Sequence, residues 1–351
     1  MQANVHYFYS FKKVQFMKKT ISRPMNFLMI SFIALLLSAC GGGDSSSLGG
    51  DSSSDSGALT LRLTDAPVDG LLEVWVTFTD VIIHPADGSG DIVVPVDDGE
   101  GEAGMTIELT SLAGGGSVRL LGDYPLPDGH YSWMRLVIDP DNTYVICDEY
   151  ECDGDGDGVA DSLPLMLDCS SCDQSHLKLN RSFTIGAEGL VDFTIDFDMR
   201  KSVTLIQPNS TPYVDNQFKL RPTLRIIDTD VASAQIFGTV DEELVNPAVP
   251  DDCAVYVYEG DVYPDDICID VNGDVCPGSG AQSLTTAEVI LEGTNPDIYT
   301  YRTGYLYPGT YTVALLCEDD DPEVDDAVPF IGEATVEAVA GDNEHNFEPI
   351  P

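Results

Sequence analysis

The sequence predicts an all-β protein, built as two β-sandwich domains behind an export signal and a flexible tether. Past residue 57 the hydrophobic period is two. Val191, Phe193, Ile195 and Phe197 alternate with Asp192, Thr194, Asp196 and Asp198, which puts the apolar side chains on one face of a strand. Residues 73–79 and 131–138 alternate in the same way. Turn formers separate these runs, at Ala66-Pro67, Pro85 to Gly88, Pro127-Asp128-Gly129 and Pro140-Asp141-Asn142. No long stretch has a helical period, and residues 110–116 suggest one short turn. Short alternating strands at this spacing indicate sandwiches.

Residues 1–39 contain no acid, carry Lys12, Lys13, Lys18, Lys19 and Arg23, and end in an apolar run from Phe27 to Leu37. A basic stretch, a short apolar core and a small-residue exit describe a secretory signal peptide. The run of about 11 residues is too short to span a membrane, which takes about 20. Met17, followed directly by Lys18 and Lys19, is an alternative start. The end of this segment, Leu37-Ser38-Ala39-Cys40, resembles the bacterial lipoprotein signal. That resemblance implies cleavage before Cys40, lipidation of Cys40 and anchorage in a bacterial cell envelope. Gly41 in place of Asp points to the outer membrane. Residues 40–57 are then the lipidated Cys and a Gly/Ser tether, with an r.m.s. span of roughly 23 Å for 17 residues.

The folded part divides at 58–230 and 231–351. The chain has 60 Asp+Glu and 16 Lys+Arg, a net charge of −44. Five of those bases lie in the signal, so the exported part carries 11 bases and a net charge of −49. Residues 233–351 hold a single base, Arg302. So few cations exclude a phosphate grip, and with it nucleic acid as a partner. Self-repulsion of this size destabilises a compact state until salt screens it, so thermal melts are expected to rise with NaCl.

Four stretches carry a family resemblance: LRLTDAPVDGLLEVWVTFTDVIIHPADG (61–88), SLAGGGSVRLLGDYPLPDGHYSWMRLVID (111–139), RSFTI with VDFTIDFDMRKSV (181–203), and FKLRPTLRIIDT (218–229). Together they resemble the bacterial family filed as domain of unknown function 4382. The resemblance implies an all-β domain of exported lipoproteins and brings no catalytic residues. A Cys- and Asp-rich insert at 144–178 departs from the family. Residues 231–351, through Gly238-Thr239-Val240 and Pro308-Gly-Thr-Tyr-Thr-Val313, are similar to carboxypeptidase-regulatory and transthyretin-like sandwiches, which places both domains in the immunoglobulin/transthyretin-like class. A Pro/Gly turn that delivers Tyr131 into a strand is echoed before Tyr311, either by duplication or as a hairpin entry common to sandwiches.

Eight Cys remain beside Cys40. Cys147, Cys152, Cys169 and Cys172 lie in the first domain, and Cys253, Cys268, Cys276 and Cys317 in the second. Even counts in an exported chain favour two disulfides per domain, over a four-Cys zinc site in the first. Cys253 with Cys317 and Cys268 with Cys276 is the expected pairing in the second domain, and the first stays open among three pairings. Between the first four Cys, Asp153, Asp155, Asp157 and Asp161 fall at positions 1, 3, 5 and 9 of a loop with Gly158 at position 6 and the Val159 carbonyl at 7. That is the front of a Ca²⁺ loop. Pro164 stands where the bidentate acid belongs, with Asp168 as the candidate substitute. A bare acidic linker is the alternative. The stripe Asp192, Asp196, Asp198 reads as a solvated or Arg-paired strand face.

No catalytic constellation is evident. His84, His130, His176 and His345 fit no zinc or nucleophile motif. The expected function is therefore a non-enzymatic, surface-tethered binding or structural module in adhesion or envelope organisation, with an unknown protein or glycan partner. The alternative is a carbohydrate-binding lipoprotein, through the eight Tyr of the second domain, with Trp75 and Trp133 expected in the core of the first. An envelope hydrolase ranks below both.

Overall fold

Alternation becomes strand over most of the described residues. The computed structural model describes residues 56–66, 71–98, 104–147, 164–169, 177–206, 213–214, 217–245, 253–266, 280–293, 297–318 and 328–349. Cys40, His176, the loop of Asp153, Asp155, Asp157, Val159 and Asp161, and Cys152, Cys172, Cys268 and Cys276 lie outside the described residues.

The first half contains β1 (Ser56–Ala66), β2 (Leu71–Pro85), β3 (Ile92–Pro95), β4 (Met105–Glu108), β5 (Val118–Pro127), β6 (Gly129–Ile138), β7 (Tyr144–Cys147), β8 (Leu165–Met166), β9 (Leu177–Leu179), β10 (Phe183–Ile185), β11 (Leu190–Asp198), the one-turn helix α1 (Met199–Ser202), β12 (Val203–Leu205), β13 (Phe218–Leu220) and β14 (Leu224–Asp228). A 3₁₀ turn at Thr110–Leu112 falls where the sequence suggested one. The strands form a four-stranded sheet, β14-β11-β1-β5, and an eight-stranded sheet, β10-β6-β2-β7-β8, in which β3 and β4 also pair with β2 and β9 with β6. β12 and β13 make a separate pair. β1 and β11 run parallel.

One core lies between the two larger sheets. Leu59, Leu61 and Leu63 of β1 and Phe193, Ile195 and Phe197 of β11 meet Val74, Val76 and Phe78 of β2 and Met134 and Leu136 of β6. Phe183 and Phe193 touch edge to face across the layers at 5.5 Å. Each such side chain contributes about 1.5–3 kcal/mol by leaving water, which fixes the register, because a slip of one residue would expose the whole set.

The second half contains β15 (Ala234–Val240), β16 (Ala254–Glu259), β17 (Thr285–Gly293), β18 (Ile298–Arg302), β19 (Gly309–Leu316), β20 (Gly332–Ala338) and β21 (Gly341–Glu344), ordered β20-β19-β16-β17-β18-β15-β21. Residues 285–288 of β17 pair with β16, and residues 289–293 pair with β18. β17 thus serves two sheets, and the array closes on a core of its own that includes Ile236, Val257, Val289, Val313, Leu315 and Phe347. Cys253 and Cys317 flank the opposed pair Ala254 and Leu316. Their Cα atoms stand 3.9 Å apart and the expected disulfide joins them. Cys147 and Cys169 are each in a disulfide as well. Gly238 is required by space, since a Cβ there would stand 1.7 Å from the His345 carbonyl oxygen.

The echoed turns build the same device twice. The Tyr131 hydroxyl donates to the Pro127 carbonyl at 2.8 Å, and the Tyr311 hydroxyl to the Tyr307 carbonyl at 2.6 Å. In each case a buried ring enters its strand and ties it to the backbone four residues upstream, the logic of a tyrosine corner. Burial raises the pKa of both hydroxyls.

Residues 53–351 form one compact unit. The outer side of β16 and β19 carries a third apolar cluster, Ala254, Tyr256, Tyr258, Ala314 and Leu316. α1 packs here. Arg200, buried, donates to the Tyr256 hydroxyl at 2.6 Å with its guanidinium 5.1 Å from the Tyr256 ring centre. Among the described residues no helix is long and apolar enough to cross a membrane.

Candidate functional site

Two expectations about polar and aromatic faces are overturned. The stripe on β11 is not solvated. Asp196 is 2% and Asp198 5% exposed, because the second half of the chain covers that side of β11. The alternative half of the expectation, pairing with Arg, holds. Arg225 stands directly opposite Asp196 and binds it at 2.6 Å, while also donating to the Tyr305 carbonyl at 3.2 Å. Lys201 holds Asp198 at 3.1 Å and donates to the Ser283 carbonyl, and Asp192 lies 3.5 Å from Arg62. The Asp196–Arg225 and Asp198–Lys201 pairs, through the Tyr305 and Ser283 carbonyls, cement the two halves to each other and are closed to a ligand, while the Arg62–Asp192 pair is partly exposed.

The aromatic assignment is also reversed. Five of the eight Tyr in the second half, at 256, 258, 299, 301 and 311, are buried, so they are core and not contact surface. Tyr263 is 90% exposed, beside a shallow cleft of about 430 Å³ shared with Asp261, Thr312, Glu333 and Thr335. Trp75 and Trp133, expected in the core, are half-buried and stand on the solvent side of the eight-stranded sheet. The pleat explains it: Val74, Val76 and Phe78 of β2 point inward, so Trp75 points outward. Beyond the irregularity near Thr79, Val81 and Ile83 point inward and Ile82 and His84 outward.

This face is organised as cross-strand ladders. At one end Trp75 stacks on Tyr144 of β7, its register partner, with centroids 5.9 Å apart, and donates its indole N–H to Glu73 at 2.6 Å. Burial, then the Glu73 charge, raises the pKa of the Tyr144 hydroxyl. At the other end Trp133 of β6 lies opposite His84 and stacks on it at 4.5 Å and 6°. The Arg135 guanidinium sits 4.4 Å and the Lys178 ammonium 5.2 Å from the Trp133 ring centre, and Arg135 and Lys178 are themselves register partners. His84 is hydrogen-bonded to Asp91. Trp75 and His84 stand nine positions apart on β2, roughly 30 Å of strand. The chain has two Trp, and this face carries both.

His130 is exposed and 3.1 Å from the Thr184 hydroxyl. His345 is half-buried against Phe347. Among the described residues no group of three or more His, Cys, Asp or Glu could hold a metal ion.

Residues 56–222 match the family of the domain of unknown function DUF4382. Every residue of the two ladders lies inside that DUF4382 region. No curated protein matches the chain. Among solved structures, the Bacillus anthracis TIE protein aligns at 10% identity and a TM-score of 0.17, over 84% of this chain and 34% of that one. The chain thus spans about a third of its length. A candidate adhesin from Bacteroides ovatus aligns at 10% identity and a TM-score of 0.19, over 89% of this chain and 99% of that one. TM-scores this low define no shared topology.

Proposed function

We propose that this protein is a non-enzymatic binding module of the bacterial cell envelope, tethered through lipid on Cys40 to the outer membrane, and that it takes its ligand on the solvent face of the eight-stranded sheet. The observation that carries the reading is that both Trp of the chain stand on that face in cross-strand stacks. Half-exposed indoles offer a large amphipathic contact area, and aromatic rings dominate contact energetics. Two such stacks about 30 Å apart along one strand suit an elongated ligand, and they favour a glycan chain over a compact one. The carbohydrate reading therefore rests on the tryptophans of the first half and not on the tyrosines of the second. In the same proposal Ca²⁺ stabilises the loop of Asp153, Asp155, Asp157, Val159 and Asp161, and residues 231–351 serve as a transthyretin-like spacer and brace.

A glycan array probed with the full-length protein, with and without Ca²⁺, tests this. Retention on a defined set of polysaccharides, lost when Trp75 and Trp133 are both changed to Ala, is the expected result. A blank array would overturn the glycan reading and leave a protein partner.

A further inference from the structure

We infer that the Trp133 end of this face is an anion-holding subsite, and that the glycan it takes is an acidic polysaccharide, one that carries a carboxylate or sulfate on its sugars. The inference rests on the glycan reading above and adds the charge of the ligand to it.

The argument starts from scarcity. Only 11 bases accompany the 60 acids of the exported chain. Where the described bases meet acids they are consumed by them: Arg62 with Asp192, Arg181 with Asp228, Lys201 with Asp198, Arg225 with Asp196 and Arg302 with Asp342. Of the other described bases, Arg135 and Lys178 are the two brought together on one ring. Neither makes an ion pair with a described carboxylate, although they are adjacent to each other across β6 and β9. Arg135 bonds to no described oxygen, and its Nε is enclosed without a hydrogen-bond partner. In a chain with so many carboxylates, two neighbouring cations without a described carboxylate partner on a solvent face are a site of positive charge that an anionic ligand can fill. Asp91, which could have closed it, bonds His84 instead.

Trp133 supplies the geometry. Its ring is flanked by His84 on one strand and approached by both cations, so it meets a ligand together with the two charged heads and holds them in place. A guanidinium over an indole keeps its donors at the rim free, and those form a fork matched to a planar carboxylate or a sulfate edge. Lys178, exposed, adds a point charge beside the fork. The site is thus pre-organised before any ligand arrives, which lowers the ordering cost of binding. The net charge of the whole molecule opposes an acidic ligand at long range. At 0.15 M salt the Debye length is about 8 Å, so distant acids are screened while groups in direct contact with Arg135 and Lys178 are not. Affinity is therefore expected to rise as salt is first added and to fall again at high salt.

The test is calorimetry of the full-length protein with oligogalacturonate and with dextran sulfate, each against its uncharged counterpart, the methyl-esterified oligogalacturonate and plain dextran. The expected result is at least tenfold tighter binding of one or both acidic chains, a comparable loss in Lys178→Glu, and retention of the acid preference in Trp75→Ala. The two acidic arms distinguish carboxylate from sulfate. Lys178 is exposed, so its replacement leaves the fold intact, checked by an unchanged melt. Equal binding of charged and uncharged chains would overturn the inference while the glycan reading stood. Loss of acid preference in Trp75→Ala but not in Lys178→Glu would overturn it too, by placing the site at the other end. No binding to any of the four, together with a blank array, would sink both readings.

Discussion

Two sets of charged side chains in the first half sit on opposite sides of the same sandwich and behave in opposite ways. On the β11 side, Asp196, Asp198, Lys201 and Arg225 are matched acid to base and closed over by the second half of the chain. On the β6 side, Arg135 and Lys178 meet an indole and no described carboxylate. The first arrangement is a joint: removing one member leaves a buried charge. The second is a surface: removing a member is expected to cost little and, on the proposed function, to change what binds.

Arg225→Ala tests the joint and is expected to have the largest effect. It strands Asp196 at 2% exposure and should cost about 3 kcal/mol in denaturant unfolding. Arg62→Ala, which breaks a partly exposed pair, should cost under ~1 kcal/mol. Equal losses would show that burial does not separate the pairs. Next in size is the disulfide closing 64 residues of the second core. Replacing Cys253 and Cys317 together by Ala should cost about 2–4 kcal/mol, with the melt of the second half shifted most. On the other side of the sandwich, Trp133→Ala should cost only about 1–2 kcal/mol, the sum expected for one stacked cross-strand pair and two cation–ring contacts, while ligand binding falls at least tenfold. A larger stability loss with binding retained would make Trp133 a core residue after all.

The smallest effect is a pH dependence. Burial lowers the pKa of His345, so the unfolded chain takes up its proton first as pH falls. The His345 contribution is present above the ordinary value of 6.5 and is lost as pH drops below it. Melts of wild type and His345→Gln between pH 7.5 and 5 should converge towards the acid end, and parallel curves would contradict this.

The strands themselves were legible, because period two survives any tertiary context that buries one face. Phe193, Ile195 and Phe197 point inward, as their alternation predicts. The partner side of β11 was misjudged because alternation reports polarity and not exposure. Asp196 and Asp198 are polar and buried, and only the covering by Tyr305 and Ser283, some 80 to 110 residues away, makes them so. Trp75 and Trp133 were misjudged for the complementary reason. An aromatic residue in a strand is core by default, and the phase that turns these two outward is set by their neighbours Val74, Val76 and Met134. The alternation of 73–79 contained that signal, and reading its phase together with its period would have found the face. The pairing of Arg135 with Lys178 lay beyond reach, since it depends on β9 joining β6 across some 40 residues.

Because the two Trp of the chain share one face, they also report on it. Changing Trp75 to Phe leaves Trp133 as the single indole, flanked by His84, Arg135 and Lys178. Titrating that variant with the acidic oligosaccharide should shift and saturate its emission at the concentration at which calorimetry shows binding. Calorimetric binding with an unchanged Trp133 emission would contradict the account and place the ligand elsewhere on the molecule.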